Sequence, residues 1–148
     1  MSAITDQDKG VGCVSCYSAH ERCVVCGARN ARGLNLVFRR SDDGWVEGAL
    51  GKDESLQGYP DMMHGGIISL LLDAAMTHCL FDHGAAGVTA RLEVKFRHPV
   101  KVDRPVRIRA KLVRSSSPAY HLRAEMRQGE QVKATATGLF VDRPALVG

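Results

Sequence analysis

The sequence predicts an α+β fold in which a curved antiparallel sheet wraps one long central helix. Three observations lead there. Only one segment, His64 to Phe81, reads convincingly as a helix, and it is apolar almost all round, so it must be buried on most sides. Two strand-like segments precede it and four follow, an order typical of a helix packed on an antiparallel sheet. The chain has 148 residues, enough for one domain with a single core.

Residues 1–30 are small, polar and Cys-bearing, without a sustained period, and read as a Cys-rich N-terminal arm or knuckle; residues 31–148 read as the folded domain. From Leu34 the pattern alternates, with Leu34, Leu36 and Phe38 against Asn35, Val37 and Arg39, the period of a half-buried strand. Asp42-Asp43-Gly44 marks a hairpin turn, and Trp45 to Leu50 returns as the second strand. Gly51 to Met63 carries Gly58 and Pro60 and reads as a loop. After the helix, Asp82 to Gly87 holds two glycines that close it. Val88–Arg97, Pro105–Val113, Tyr120–Arg127 and Gln131–Val141 then read as strands, separated by His98-Pro99, Ser115 to Pro118 and Gln128-Gly129-Glu130.

Composition excludes several function classes. Apolar residues at 45% and charged residues at 24% are those of an ordinary globular protein. The longest apolar stretch, Ile67 to Met76, is interrupted by Ser69 and Asp73, so no membrane partner is expected. Met1 to Lys9 lacks the basic start and apolar block of a signal peptide, and a cytoplasmic location is expected. The net charge of +4 is spread along the chain, without the concentrated basic stripe and interleaved aromatics of a nucleic-acid binder. A mild positive bias suits a small phosphate-bearing ligand or a solvated surface equally well.

One constellation carries chemistry. His64-Gly65-Gly66 opens the helix, leaving bare backbone N–H groups at the positive end of its dipole, an arrangement that accepts an oxygen anion. Asp73 follows nine residues after His64 and is the only carboxylate in the helix before its C-terminal end. A shielded carboxylate is costly to keep without a use. The structural alternatives are packing glycines, a core histidine, and an Asp73 satisfied by Ser69 or Thr77 one turn away.

The element order, with His64-Gly65-Gly66 at the helix entry and Asp73 nine residues on, resembles the hotdog fold of PaaI-like acyl-CoA thioesterases. Cys23-Val-Val-Cys26-Gly27, Asn30, Gly33-Leu34, Gln57-Gly58-Tyr59-Pro60, Ile67-Ile68, and Thr89 to Phe96 followed by Pro99 extend the likeness over residues 23–143. The resemblance implies hydrolysis of an acyl-CoA thioester, with no cofactor required. It implies Asp73 as nucleophile or general base, contributed across a subunit interface. It further implies Gly65 as the N–H donor to the thioester carbonyl, His64 as the residue that orients this loop or holds water, and Thr89 as an assisting hydroxyl. Gly66, Gln57, Gly58 and Met63 are expected on the substrate, and Arg97 and His98, with Lys95 and Arg104, are candidates for the coenzyme A phosphates. Many members carry an Asn six residues before the histidine; here that position is Gly58, with Gln57 beside it. The resemblance also implies a homodimer and a dimer of dimers. A non-catalytic acyl-CoA-binding module and a hotdog dehydratase are the competing functions.

Cys13, Cys16, Cys23 and Cys26 have the paired spacing of a tetrathiolate zinc site, although the gap between pairs is shorter than the roughly 15–20 residues usual there. Structural zinc, with His20 able to replace one thiol, and free reduced cysteines in an arm are both open readings. Cys79, within the apolar helix, reads as a small core residue.

Overall fold

The structure, a computed structural model, describes residues 18–143. Six strands form one antiparallel sheet: β1 (Phe38–Arg40), β2 (Val46–Leu50), β3 (Gly87–Phe96), β4 (Val106–Ser116), β5 (Ala119–Gln128) and β6 (Gln131–Asp142). Their spatial order is β1-β2-β4-β5-β6-β3, so β3, the first strand after the helix, lies at the far edge and pairs only with β6. Helix α1 (Gly65–Asp82) packs against all six strands, which is the wrapped arrangement that its nearly uniform apolarity requires. Leu71, Leu72, Ala75, Met76, Cys79 and Leu80 are fully buried from the helix side, against Phe38, Val46, Ile108, Met126 and Phe140 from the sheet.

By length and composition alone α1 could cross a membrane, with a mean hydropathy of 1.2, but 56% of it is buried inside this fold, as expected of a core helix. It ends where Gly84 takes a φ of +74°, a left-handed turn that glycine adopts without steric cost.

The first strand is shorter than the alternation of Leu34 to Phe38 predicts. Asn35 has a φ of +52°, which breaks the extended run. The amides of Leu34 and Leu36 turn instead to the carbonyls of Val24 and Val25, at 2.8 and 2.9 Å. Val25 is only 2% exposed and belongs to the main core, so the boundary expected near residue 30 is no break in packing.

Candidate active site

His64 is the N-cap of α1. Its Nδ1 accepts the Gly66 N–H at 2.9 Å, which satisfies one of the orphan donors of the first turn and identifies Nε2 as the protonated nitrogen in this geometry. Its own N–H donates to the Leu56 carbonyl at 2.9 Å, fastening the helix entry to the preceding loop. The two glycines therefore differ in role. Gly66 spends its N–H on the cap, while the Gly65 N–H, first in the helix, has no intrahelical acceptor and remains for a ligand. A Cβ at Gly66 would lie 3.1 Å from the His64 ring, whereas one at Gly65 would lie 3.6 Å from the Phe96 ring.

Gly65 opens onto a pocket of ≈ 410 Å³. Gly58, Met63 and His64 line it, as do Arg97 and His98 at its rim, together with Tyr59, Met62, Ile68, Phe96, Pro99 and Val100. The lining is largely apolar with a few polar groups, which suits an acyl chain or another extended apolar ligand. Phe96, 57% exposed, was not singled out from the sequence, because on alternation alone it is one more strand residue.

Asp73 and Thr89 lie outside this pocket and form a second locus. Asp73 is half-buried on α1, and its Oδ1 accepts the Thr89 hydroxyl from the edge strand β3 at 2.5 Å. Neither helical hydroxyl takes it: Ser69 Oγ donates to the Gly65 carbonyl and Thr77 Oγ1 to the Asp73 carbonyl, each at 3.1 Å. Burial pushes the Asp73 carboxyl above its usual value of 3.8; the Thr89 bond opposes this, the charge of Cys23 adds to it, and that of His20 subtracts. The net effect is a carboxylate that holds its proton more tightly than an exposed one.

Gln57 sits elsewhere. Its Oε1 accepts the Asp61 N–H at 3.2 Å, holding the loop turn, and it does not line the pocket. Gly58 packs on His64, where a Cβ would meet the His64 Cα and Cδ2 at 3.3 Å. Arg104 is paired with Asp103 at 3.0 Å. Cys13 and Cys16 lie outside the described residues; Cys23 and Cys26 meet at the turn that follows His20.

The model of the thioesterase superfamily matches residues 61–135, which include the helix entry, Asp73 and Thr89. The chain is 28% identical over 108 residues to acyl-coenzyme A thioesterase THEM4 of Bos taurus, a match covering 72% of this chain and 44% of that protein. A solved thioesterase superfamily protein is 31% identical, with a TM-score of 0.69, over 79% of this chain and 61% of its own. A conserved protein from Pseudomonas aeruginosa is 26% identical, with a TM-score of 0.65, over 74% and 90% respectively. The chain thus spans less than half the length of the bovine relative. A helix sheathed by six antiparallel strands is the hotdog architecture, and with half of the sequence matched, the chain belongs to the thioesterase superfamily.

Proposed function

We propose that the chain is an acyl-CoA thioesterase, hydrolysing its substrate to a free acid and coenzyme A, and that it works as a homodimer. The observation that carries this reading is the half-buried Asp73 carboxylate, held by Thr89 at an open sheet edge and made more basic by burial. The activity named for the bovine relative supports the same reading.

In the proposed reaction the thioester carbonyl oxygen lies on the Gly65 N–H at the positive end of α1. A donor of this kind typically stabilises the developing oxyanion by about 3 kcal/mol. Asp73 takes a proton from water as the water oxygen bonds to the carbonyl carbon, or attacks that carbon directly. The carbon–sulfur bond then breaks and the thiolate leaves, to be protonated; after direct attack, water opens the acyl–Asp73 anhydride, releasing the free acid and restoring the carboxylate. Arg97 and His98, at the pocket rim, are placed for the coenzyme's phosphates.

A separation within one chain supports the dimer. Asp73 stands nine residues, or about 13 Å along the helix axis, beyond His64, and does not line the Gly65 pocket. Strand β3 carries Thr89 near one end and Phe96, the neighbour of Gly65, at the other. Its outer edge is unpaired among the described residues, and Val88 and Phe96 are 37% and 57% exposed, which is an invitation to strand pairing. Two β3 edges paired antiparallel about a two-fold axis bring the Thr89 end of one protomer against the Phe96 end of the other. The partner's Asp73 then reaches the pocket that Gly65 opens onto.

A panel of acyl-CoA esters assayed for thiol release tests the activity, with wild type active and Asp73→Asn inactive. Binding of coenzyme A esters without thiol release would favour the non-catalytic module instead. Sedimentation of the full chain reads the dimer, and whether dimers pair into tetramers; a monomer at micromolar concentration removes the shared-site arrangement.

A further inference from the structure

We propose that His20, Cys23 and Cys26 are ligands of a structural zinc ion that fastens the N-terminal segment onto α1. The ligand atoms of the three residues lie within 4.8 Å of one another. His20 Nδ1 and Cys26 Sγ are 3.6 Å apart. Tetrahedral zinc, with Zn–N of about 2.0–2.1 Å and Zn–S of about 2.3 Å, sets its N-to-S edge at about 3.6 Å. The observed separation, at which the two side chains hydrogen-bond, matches that edge, so a zinc ion fits between them without moving either ligand atom far.

The backbone around the cluster is shaped for the same purpose. The Val25 N–H points at Cys23 Sγ at 3.4 Å, the kind of outer contact that orients a thiolate and spreads its charge. The Gly27 N–H bonds to the Cys23 carbonyl at 2.9 Å, closing the turn between the two cysteines. A Cβ at Gly27 would come within 2.3 Å of the Cys23 nitrogen and 2.6 Å of the Glu21 carbonyl oxygen, both backbone, so this turn closes only on glycine. Two soft thiolates with an imidazole select zinc over the hard oxygen-seeking cations. Structural zinc sites are tetrahedral, and these residues supply three of the four ligands.

None of the three residues lines the Gly65 pocket, and although the charges of Cys23 and His20 act on Asp73, the role proposed for the ion is structural. The His20 ring stands edge-on to Phe81 at 5.0 Å and to His78 at 6.4 Å, both on the last turns of α1. Val25, between the cysteines, is buried in the core. Zinc at this point locks the turn whose carbonyls receive the Leu34 and Leu36 amides, and with it the cover over that end of the helix.

The full chain, expressed with zinc in the medium and purified without chelator, is expected to carry about one zinc per chain by elemental mass spectrometry. Co²⁺ exchanged into the same protein is expected to give the visible absorption of a tetrahedral thiolate site. Cys26→Ser and His20→Ala are each expected to lower zinc content at least about fivefold, while Cys79→Ala, a buried thiol outside the cluster, retains it. The wild-type cobalt spectrum needs no substitution and decides the matter even where a variant fails to fold. Zinc below about half an equivalent together with no tetrahedral cobalt spectrum overturns the site, and so does an undiminished zinc content in both ligand variants. Both readouts are independent of hydrolytic activity.

Discussion

The Thr89 hydroxyl donates to Asp73 Oδ1 at 2.5 Å, joining the exposed edge strand β3 to the middle of the buried helix α1. Two influences on one carboxylate meet here. Removal from water favours the protonated form, and the hydroxyl favours the ionised one. Burial is the larger, so the carboxyl titrates above its ordinary value of 3.8.

Asp73→Asn separates the catalytic role of that group from its cost to the fold. A general base typically contributes about 10²–10⁴-fold to rate, so kcat/KM for acyl-CoA hydrolysis is expected to fall by at least about that factor. Stability should move the other way. A carboxyl whose folded-state pKa is raised favours folding fully below its unfolded value and loses that contribution as pH climbs through the folded one. At neutral pH the wild type therefore holds a partly buried charge at a cost, and the uncharged Asn, still able to accept the Thr89 hydroxyl, escapes it. Thermal unfolding at pH 7 should show the variant at least as stable as wild type; a clearly lower Tm would mean that the carboxylate is structural.

Thr89→Val tests whether the hydroxyl positions and tunes the carboxylate. Losing a bond that favours the ionised form raises the Asp73 pKa further. The acid limb of the kcat/KM profile, which falls as Asp73 takes up its proton, should shift to higher pH. The deficit should be greatest on the acid side and shrink as pH rises. A uniform loss at every pH would leave Thr89 with some other role.

Gln57→Ala is expected to change kcat by less than about threefold, because its carbonyl oxygen is engaged with the Asp61 N–H at 3.2 Å. Asp61 carries a φ of +65°, and the exposed turn it makes can exchange that bond for water at a cost of about 0.5–1 kcal/mol. A drop in kcat of tenfold or more would return Gln57 to the substrate contact that the family resemblance implies for it.

Much of this architecture was legible because its signals are local. A segment apolar almost all round reads as a buried helix, and the alternation of Leu92, Val94 and Phe96, or of Val106, Ile108 and Ala110, reads as strands. The strand expected from Leu34 failed where a non-local partner intervened: Val24 and Val25 accept its amides, and Asn35 turns left-handed between them. The site follows the same division. His64, Gly65 and Asp73 stand out in one helix, but the pairing of Asp73 with Thr89 links residues sixteen apart through the sheet, and Ser69 and Thr77, nearer in sequence, bond to backbone carbonyls instead. Nothing in a repeated Gly-Gly distinguishes the glycine that caps from the one that is left free.

That distinction yields the sharpest pair of variants. At Gly66 a methyl group would sit 3.1 Å from the His64 ring, tighter than ordinary contact, so Gly66→Ala makes the ring give by a few tenths of an ångström and strains the bond by which it caps the N–H. Losing an N-cap costs about 0.5–2 kcal/mol, and Gly66→Ala should lower the Tm accordingly. At Gly65 the methyl would rest 3.6 Å from the Phe96 ring, an ordinary contact, so Gly65→Ala should fold with a Tm close to wild type. It nevertheless places a side chain beside the one N–H that the helix entry leaves for a carbonyl oxygen. The amide N–H itself is retained, so the methyl acts by obstructing the carbonyl's approach to it, and the expected signature of Gly65→Ala is a fall in kcat of up to roughly 10²–10³-fold, the effect of losing an oxyanion donor outright. If Gly65→Ala turns over thioester at the wild-type rate while Gly66→Ala does not, the roles of the two glycines are reversed, and the carbonyl lies one residue further into the helix.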